Sequence, residues 1–502
     1  MEVLNVFMSV LQPLNIFFIF VGVAAGIVVG AIPGLTATLA ISLLLPFTFM
    51  LSPEPALLLL LGIYVGGMYG GAITAILIRA PGTPAAVATS FDGYPLTQKG
   101  ESGRALGIAA TASFLGGCIS VIIMIMMSPL ISNFALKFSS AEYFALGVFG
   151  LTIIFTVTGK SVMKGMISGL LGLLLATVGI DAISPFPRFT FDIPQLVIGL
   201  PFLPVVIGLF AVSEVFRMLE KPDSQIKSMP NKINRIRPTI KEMKALKWVF
   251  AKSGLIGSFI GALPGAGANI AAFVSYGEAK RSSKNPDEFG KGRIEGVAAS
   301  EAANSAVVGG ALIPALTLGI PGDAVTAVLL GAFIIQGIEP GPLLFQNHLN
   351  LIYIIYIGLF IAMIFQLTIG LSSARIISKL AMLKKTVLLP IIAIFSFLGA
   401  YAPEASIYHM GVALFFGVIG YFMEKFGYSV APMALAFILG PIIERSFRTA
   451  LIRSESGYAI FFSSPISLTL LLATILFFVV IIYRQYKTNK NVLHDEKNEL
   501  VK

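Results

Sequence analysis

The chain has 502 residues, of which 56% are hydrophobic and only 12% charged, and its mean hydropathy is +0.89. A soluble domain carries about 25% charged residues, so this composition excludes a soluble globular protein and indicates a helical protein that crosses a membrane several times. The net charge of +10 does not indicate nucleic acid binding, because the basic residues are spread through short loops beside apolar segments, where the positive-inside rule places them.

Six apolar runs are long enough to cross the hydrocarbon core, which takes about 20 helical residues. The runs are 104–131, 139–158, 194–216, 349–373, 406–424 and 464–483. Together with the interrupted segments described next, they predict an all-α polytopic membrane protein with about ten to twelve transmembrane helices.

The first interrupted segment is "GIVVGAIPGLTATLA", residues 26–40. Pro33 and Gly34 remove a backbone donor and favour departure from helical geometry, so they predict a break. A half-helix that begins after the break presents free N–H groups and the positive end of its dipole. With Thr36 and Thr38 just beyond, this end is a candidate carboxylate site. The alternative is that these hydroxyls cap the half-helix or bridge to a neighbouring helix.

A second Gly-rich phrase follows, "GGAITAILIRAPG" from Gly70 to Gly82. Arg79 and Thr83 lie at its Pro-Gly break, and we predict that both contact the substrate, with Arg79 facing a carboxylate. The alternative for Arg79 is that its side chain extends to the cytoplasmic interface.

A polar stretch, residues 217–247, carries nine Lys or Arg against three acids and is predicted to be a cytoplasmic linker. The predicted organisation is a first transmembrane half at 1–216, the linker, a second half at 248–483 and a polar tail at 484–502.

Both phrases return in the second half, in the same order. "GSFIGALPGAGANIA" (257–271) matches the first phrase at seven of fifteen positions, and "GGALIPALTLGIPG" (309–322) resembles the second with one residue inserted. Two motifs in one order indicate duplication. The substrate candidates at the repeated break are Pro264, Gly265 and Asn269. The G-x-x-x-G spacings before each break are typical of close helix packing.

Loop charges give the relative orientation of the two halves. Residues 50–55 contain no Lys or Arg, whereas 280–293 contain five; the loop with Lys99 and Arg104 is basic, whereas 339–350 is not. We therefore predict inverted-topology repeats. Each Pro-Gly segment enters and leaves on one face, as a re-entrant or discontinuous helix pair does. Paired breaks of this kind are typical of a secondary transporter's midplane site.

Candidates for a coupling-cation site follow the second GGA phrase. Ionisable and polar groups at membrane depth are costly and are functional candidates by default. The candidates are Glu301, Asn304, Thr317 and Asp323. The alternative for Asp323 is that it caps the helix after Pro321-Gly322. Apart from Na⁺ or H⁺, we expect no cofactor.

The motifs resemble the large membrane subunit of the tripartite tricarboxylate transporter family over essentially the whole chain. They include "GAIPGLTATLAI", "PGTPAAVATSFDGYPL", "GALPGAGANIAAFVSYGEAK" and "FGKGRIEGVAASEAANSAVVGGALIPALTLGIPGDAVTAVLLGA". The resemblance implies a multi-pass subunit in the bacterial cytoplasmic membrane that imports organic acids such as citrate, driven by a cation gradient. It also implies two partners, a small membrane subunit and an extracytoplasmic solute-binding protein. One departure is Asn304-Ser305, where the family pattern has paired asparagines.

Two other classes of function compete with a transporter. A passive organic-anion channel would carry rings of like charge or a filter, and the sequence shows neither. An intramembrane enzyme would need convergent acids or histidines; the three histidines are far apart, and no zinc, P-loop or G-x-S-x-G motif is present. A scaffold leaves the duplicated breaks unexplained. The sequence therefore predicts a transporter and no enzyme.

Overall fold

The computed structural model describes residues 2–157, 161–181, 183–220, 235–380, 383 and 385–481. In this part of the chain, eight helices are long and apolar enough to cross a membrane, or nine if a bent pair counts as one span. The all-α polytopic fold is thus confirmed. The predicted number of about ten to twelve crossings is reached only if some of the five shorter apolar helices also cross.

In the described residues of the first half, the chain folds into eleven helices and one short hairpin. The helices are α1 (Glu2–Val10), α2 (Pro13–Ala31), α3 (Ala37–Leu44), α4 (Pro53–Ile78), α5 (Ala86–Gln98), α6 (Ser102–Ala135), α7 (Ser140–Val157), α8 (Val162–Ala176), α9 (Pro194–Val197), α10 (Phe202–Ile207) and α11 (Ser213–Glu220). A 3₁₀ turn (Leu45–Met50) extends α3, and a π-helical turn (Gly208–Val212) joins α10 to α11. The antiparallel strands are β1 (Gly179–Ile180) and β2 (Pro187–Arg188).

The second half is also helical. Its helices are α12 (Ile240–Gly261), α13 (Gly267–Ser282), α14 (Ile294–Leu318), α15 (Ala324–Ile335), α16 (Leu344–Asn347), α17 (Leu349–Ser372), α18 (Ala374–Leu380), α19 (Lys385–Tyr401), α20 (Ile407–Lys425), α21 (Val430–Arg453), α22 (Ile460–Ser463) and α23 (Pro465–Ile481). Short 3₁₀ turns lie at Pro286–Glu288 and Gly457–Ala459. Residues 221–234 of the predicted linker and the predicted tail 484–502 lie outside the described residues; α12 begins within the predicted linker.

Both Pro-Gly phrases break a helix, as predicted. The first break separates α2 from α3, and the second separates α12 from α13. Each GGA phrase likewise ends a long helix, α4 or α14, and is followed by a shorter one, α5 or α15. The order α2–α3–α4–α5 therefore repeats as α12–α13–α14–α15.

The packing of the helices also repeats. Helix α3 packs on α15 of the other half, and α13 packs on α5; α4 contacts α17, and α14 contacts α6. Each of these contacts of a helix in the first half is therefore matched by the equivalent contact in the second half: α3 on α15 corresponds to α13 on α5, and α4 on α17 corresponds to α14 on α6. The inverted orientation of the two repeats across the membrane stays a prediction.

The G-x-x-x-G motifs pack helices, as the sequence predicted. A Cβ at Gly22, Gly26 or Gly30 of α2 would overlap the carbonyl oxygens of Leu59, Ile63 and Gly67 on α4. In the second half, Gly257 and Gly261 face α14 in the same way. The absence of side chains lets the backbones approach closely, which is the main route to helix association where no hydrophobic force operates.

The described chain forms two compact units, which cut across the two sequence halves. One draws on 1–136 and 201–422, and the other on 137–200 and 423–502. The predicted division into halves is not tested by these units and stays a prediction. Every residue of the candidate site lies in the first unit.

The second unit contains a network of four charged side chains. Arg188 donates to both carboxylate oxygens of Glu444, at 2.5 and 3.1 Å, and Arg448 pairs with Asp181. The backbone N–H groups of residues 184 and 183, and then Arg448, hold the pKa of Asp181 well below its usual range. Asp181 and Arg188 belong to the β1–β2 hairpin, and Glu444 and Arg448 to α21, so these ion pairs join the hairpin to α21.

Candidate functional site

In each half, the two helix breaks lie against one another. A Cβ at Gly82 would overlap the carbonyl oxygen of Gly30, the residue just before the first break. In the second half, the N–H of Gly265 donates to the carbonyl of Gly322 at 2.8 Å. Two interrupted helices thus share one region of irregular backbone, which at membrane depth is tolerated only inside protein or beside an aqueous cavity.

The ends of α4 and α14 have the same backbone geometry. Arg79 and Gly319 both adopt the left-handed conformation, with φ of 55° and 69°. The next N–H in each case bonds a carbonyl six residues earlier, Ala80 to Thr74 and Ile320 to Pro314, both at 3.3 Å. A residue in the left-handed conformation is a common ending of an α-helix. Glycine adopts it without strain, whereas arginine does not.

The short helices that follow the breaks are capped at two of the predicted positions. Thr36 Oγ1 accepts from the N–H of Leu39 at 3.2 Å, so Thr36 caps α3. Asp323 accepts from the N–H of Thr326 at 2.8 Å and caps α15. Asp323 also accepts a 2.7 Å hydrogen bond from the hydroxyl of Tyr64 on α4. The capping alternatives therefore hold for both residues.

Thr83 occupies the position in the first half that Asp323 occupies in the second. Its hydroxyl is buried and, among the described residues, has no hydrogen-bond partner. A buried hydroxyl left unpaired costs about 1–3 kcal/mol, so Thr83 carries an unsatisfied polar group at this break.

Glu301 is the central ionisable group of the site. It lies on α14 with no exposed surface and accepts hydrogen bonds from Thr89 on α5, at 2.5 Å, and from Ser113 on α6, at 3.1 Å. No Lys, Arg or His in the described ranges lies within ion-pair distance of it. Both donors come from the first half of the sequence, so this carboxylate joins the two halves.

One turn beyond Glu301, Asn304 also crosses between the halves. Its Nδ2 donates to the carbonyl of Met68 on α4 at 2.8 Å, while its Oδ1 is buried and without a partner in the described part of the chain. The hydroxyl of Tyr69, next to Met68, is likewise buried and unpaired there. These oxygens add to the acceptors that surround Glu301.

A second buried carboxylate, Asp92 on α5, organises the loop between α13 and α14. Its Oδ1 accepts from the backbone N–H groups of Gly290, Gly292 and Arg293 at 2.8–2.9 Å, and Tyr276 donates to Oδ2 at 2.8 Å. All of this carboxylate's partners lie in the other half of the sequence. Asp92 therefore fixes the helix that follows one break to the basic loop of the opposite half.

Several predicted residues are not brought into these contacts. Arg79 is exposed, with its guanidinium 6.0 Å from the ring centre of Tyr94. Asn269 is exposed on α13, whose N-cap is Ala266, and Thr317 donates to the carbonyl of Ile313 in its own helix. Thr38 is buried within α3, and Pro33-Gly34 and Pro264-Gly265 form the turns themselves.

The sequence analysis missed Tyr64, Thr89 and Ser113. Each lies inside a long apolar helix or a small-residue segment, and only its contact with Asp323 or Glu301 distinguishes it. A periodicity argument gives no signal for such residues, because their partners are more than 180 positions away.

The atoms near Glu301 that could bind a cation are all oxygens. Oxygen ligands suit hard cations such as Na⁺ and Mg²⁺ rather than zinc, which prefers nitrogen and sulfur. Within the described residues, no group of three His, Cys, Asp or Glu side chains could hold a metal ion. A monovalent cation or a proton at a single carboxylate is the chemistry that this set of residues accommodates.

Comparison with known proteins adds three findings. The model of the tripartite tricarboxylate transporter TctA family matches residues 16–435. An uncharacterized 52.8 kDa protein in the TAR-I ttuC' 3' region of Agrobacterium vitis is 37% identical over 465 residues, 93% of this chain and 92% of that protein. An uncharacterized protein in the TAR-II ttuC' 3' region of the same organism is 38% identical over 215 residues, 43% of this chain and 89% of that protein. No solved structure matches the chain significantly.

Proposed function

The chain belongs to the tripartite tricarboxylate transporter TctA family, the large membrane subunits of these transporters, and from this premise we propose that it imports tricarboxylates or related organic acids by coupling to a cation gradient. The observation that carries the proposal is Glu301, a carboxylate on α14 with no exposed surface and no basic partner in the described ranges, held by Thr89 and Ser113 of the other half.

A buried carboxylate without a counter-ion is costly, and binding a proton or a cation relieves that cost. Because its hydrogen-bond partners lie on α5 and α6, occupancy of Glu301 changes the contacts between the halves. That is what coupling requires, since an ion shifts a conformational equilibrium only through different interactions with the two states. Asn304, with a free carbonyl oxygen one turn away, supplies a second ligand for Na⁺. Thr317 and Asp323 remain further candidates for the coupling cation; in the described chain they bond Ile313, Tyr64 and Thr326 rather than Glu301.

The substrate is assigned to the helix breaks. Thr83 offers an unpaired buried hydroxyl, and the half-helices after Pro33-Gly34 and Pro264-Gly265 offer N-terminal N–H groups that suit carboxylates. Thr36, Thr38 and Asn269 line the starts of these half-helices. Arg79 supplies a positive charge at the end of α4 for a second carboxylate.

The proposed setting is the bacterial cytoplasmic membrane. There the subunit works with a small membrane subunit and receives the substrate from an extracytoplasmic solute-binding protein. Tripartite systems of this family have such partners, and the many apolar helices of this chain fit a multi-pass membrane location.

The test is uptake of radiolabelled citrate and a panel of dicarboxylates into proteoliposomes that contain the chain, its small subunit and its binding protein. An imposed Na⁺ gradient and an imposed pH gradient are applied separately. We expect accumulation above equilibrium that requires one gradient and the binding protein. Equilibration without any gradient would identify a passive pore instead.

A pair of matched variants tests the role of Glu301. Glu301→Gln keeps the shape but removes the charge; its carbonyl oxygen accepts from one of the two hydroxyls and its amide N–H can donate to the other. We expect accumulation to fall at least about tenfold, within the usual range of coupling energies. Glu295→Gln, the same change two turns earlier on α14 where Glu295 pairs with Arg293 at 2.9 Å, should leave it unchanged. Wild-type accumulation by Glu301→Gln would remove Glu301 from the coupling mechanism.

A further inference from the structure

A small cavity lies between α12 and α13, away from the helix breaks. It has a volume of about 190 Å³ and is lined by Trp248, Lys252 and Ser253 of α12 and by Ser275, Glu278 and Ser282 of α13. The proposed transport function assigns no role to any of these side chains. A single water molecule needs only about 10–15 Å³ of such space, so the cavity is large enough for a polar group of several atoms.

The cavity contains an unsatisfied donor. Ser275 is only 1% exposed, and its hydroxyl has no hydrogen-bond partner among the described residues. Leaving a buried hydroxyl unpaired costs about 1–3 kcal/mol, and a ligand oxygen in the cavity would remove that cost.

The mouth of the cavity is positively charged. The ammonium of Lys252 is 4.0 Å from the carboxylate of Glu278, which also pairs with Arg281. Arg281, which lies outside the lining, is the closer partner of Glu278, so the charge of Lys252 is only weakly compensated and remains for an anionic ligand.

One face of α12 locates the cavity relative to the membrane. Lys241, Lys244, Trp248, Lys252, Leu255 and Phe259 share this face at helical spacing. It is basic at its start and apolar at its end, where Leu255 and Phe259 are 57% and 71% exposed. Trp248 is the single tryptophan of the chain and is 69% exposed. It lies with Lys252 at the boundary between the basic and the apolar part of this face. Tryptophan and lysine at such a boundary mark the headgroup level of a bilayer.

We propose that the α12–α13 cavity binds the phosphate headgroup of an anionic membrane lipid, with Lys252 pairing with the phosphate and Ser275 donating a hydrogen bond to one of its oxygens. Basic cavities between helices on the cytoplasmic side bind such headgroups, and residues 280–293, which comprise the end of α13 and the loop after it, carry the charge excess of a cytoplasmic segment. The acyl chains lie along the apolar end of α12, at Leu255 and Phe259.

The single tryptophan gives a direct measurement. The full chain is placed in nanodiscs, and quenching of Trp248 fluorescence is followed as phosphatidylglycerol or phosphatidylcholine with brominated acyl chains replaces unlabelled lipid. We expect phosphatidylglycerol to quench at a several-fold lower mole fraction. Equal quenching by the two lipids would overturn the proposal.

Three variants locate the preference in the cavity. Lys252→Gln should reduce the preference for phosphatidylglycerol about fivefold, the value of one lysine near a charged surface. Ser275→Ala should also reduce it, without lowering thermal stability in lipid-free detergent, because the lost hydroxyl is unpaired. Lys284→Gln, an exposed lysine of the loop after α13, should leave it unchanged. If Lys284→Gln and Lys252→Gln lower the preference equally, or if Ser275→Ala leaves it intact, the attraction is diffuse and the cavity is not the site.

A competition experiment separates lipid from free phosphate. Inorganic phosphate at millimolar concentration, with potassium chloride at matched ionic strength as control, is added to the phosphatidylglycerol nanodiscs. We expect no more loss of quenching than the chloride causes. Specific displacement by inorganic phosphate would assign the cavity to a soluble phosphate and would overturn the lipid assignment.

Discussion

The two breaks that follow the GGA phrases have the same backbone and opposite polar chemistry. Both long helices end in a left-handed residue and a six-residue hydrogen-bonded turn. In the second half that residue is Gly319, and the side chain after Pro-Gly, Asp323, is saturated with hydrogen bonds. In the first half it is Arg79, and Thr83 has an unpaired hydroxyl. The break in the second half therefore has an unstrained backbone and a fully hydrogen-bonded side chain. The break in the first half retains backbone strain and an unsatisfied hydroxyl, and backbone strain is a feature that clusters at functional sites.

The largest expected effect tests whether the two breaks are built alike. A Cβ at Gly82 would overlap the carbonyl oxygen of Gly30, and one at Gly322 would lie 2.6 Å from that of Gly261. Because backbone atoms cannot move aside cheaply, Gly82→Ala and Gly322→Ala should each destabilise the protein by about 3 kcal/mol or more. The measurement is the yield and thermal midpoint of the purified variants in detergent.

Gly277→Ala is the matched control for both glycine variants. Gly277 lies on α13, and a Cβ added there would meet no atom within 4 Å, so alanine should stabilise the helix by up to about 1 kcal/mol. If only one of Gly82→Ala and Gly322→Ala is destabilised, the two breaks do not have the same close backbone packing, and the claim that they are built alike is wrong.

The next effect compares the hydrogen-bonded side chain at the second-half break, Asp323, with the unbonded one at the first-half break, Thr83. Asp323→Ala removes the cap of α15 and leaves the buried hydroxyl of Tyr64 without an acceptor, which together should cost about 2–4 kcal/mol of unfolding free energy. Thr83→Ala removes a hydroxyl that has no partner in the described chain and should cost close to nothing. Thermal unfolding of both variants in the same detergent measures the difference.

Asp323→Asn controls for the cap, because asparagine caps helices as well as aspartate does. With its carbonyl oxygen on the N–H of Thr326, its amide nitrogen faces the hydroxyl of Tyr64 and can donate to it. This variant should retain most of the stability. Equal losses from Asp323→Ala and Thr83→Ala would show that the hydroxyl of Thr83 is bonded in the folded protein.

The smallest effect concerns the left-handed residue itself. Arg79→Gly should relieve backbone strain and raise the stability by about 1 kcal/mol, whereas Gly319→Ala should lower it by a similar amount. If Arg79 binds a substrate carboxylate, Arg79→Gly also lowers the uptake of citrate. Arg79→Lys preserves both charge and strain, so its stability should be unchanged. A stable Arg79→Gly variant with normal uptake would leave Arg79 with no role in binding.

The sequence predicted the breaks because their cause is local. Pro33-Gly34 and Pro264-Gly265 disrupt helical hydrogen bonding whatever surrounds them, and the α2/α3 and α12/α13 interruptions confirm it. The polytopic helical fold and the G-x-x-x-G packing follow from composition and spacing for the same reason. Local sequence patterns therefore determined the fold class and the order of the repeated helices.

The hydrogen-bond partners could not be predicted in this way, because they depend on which helices become neighbours. Thr89 and Ser113 meet Glu301, Tyr64 meets Asp323, and Asp92 meets the loop before α14, always across the two sequence halves. Conversely, Asn269 follows its break as predicted yet is exposed on α13. A side chain's place in a motif fixes its position on the helix, whereas the packing of one repeat against the other decides what it faces.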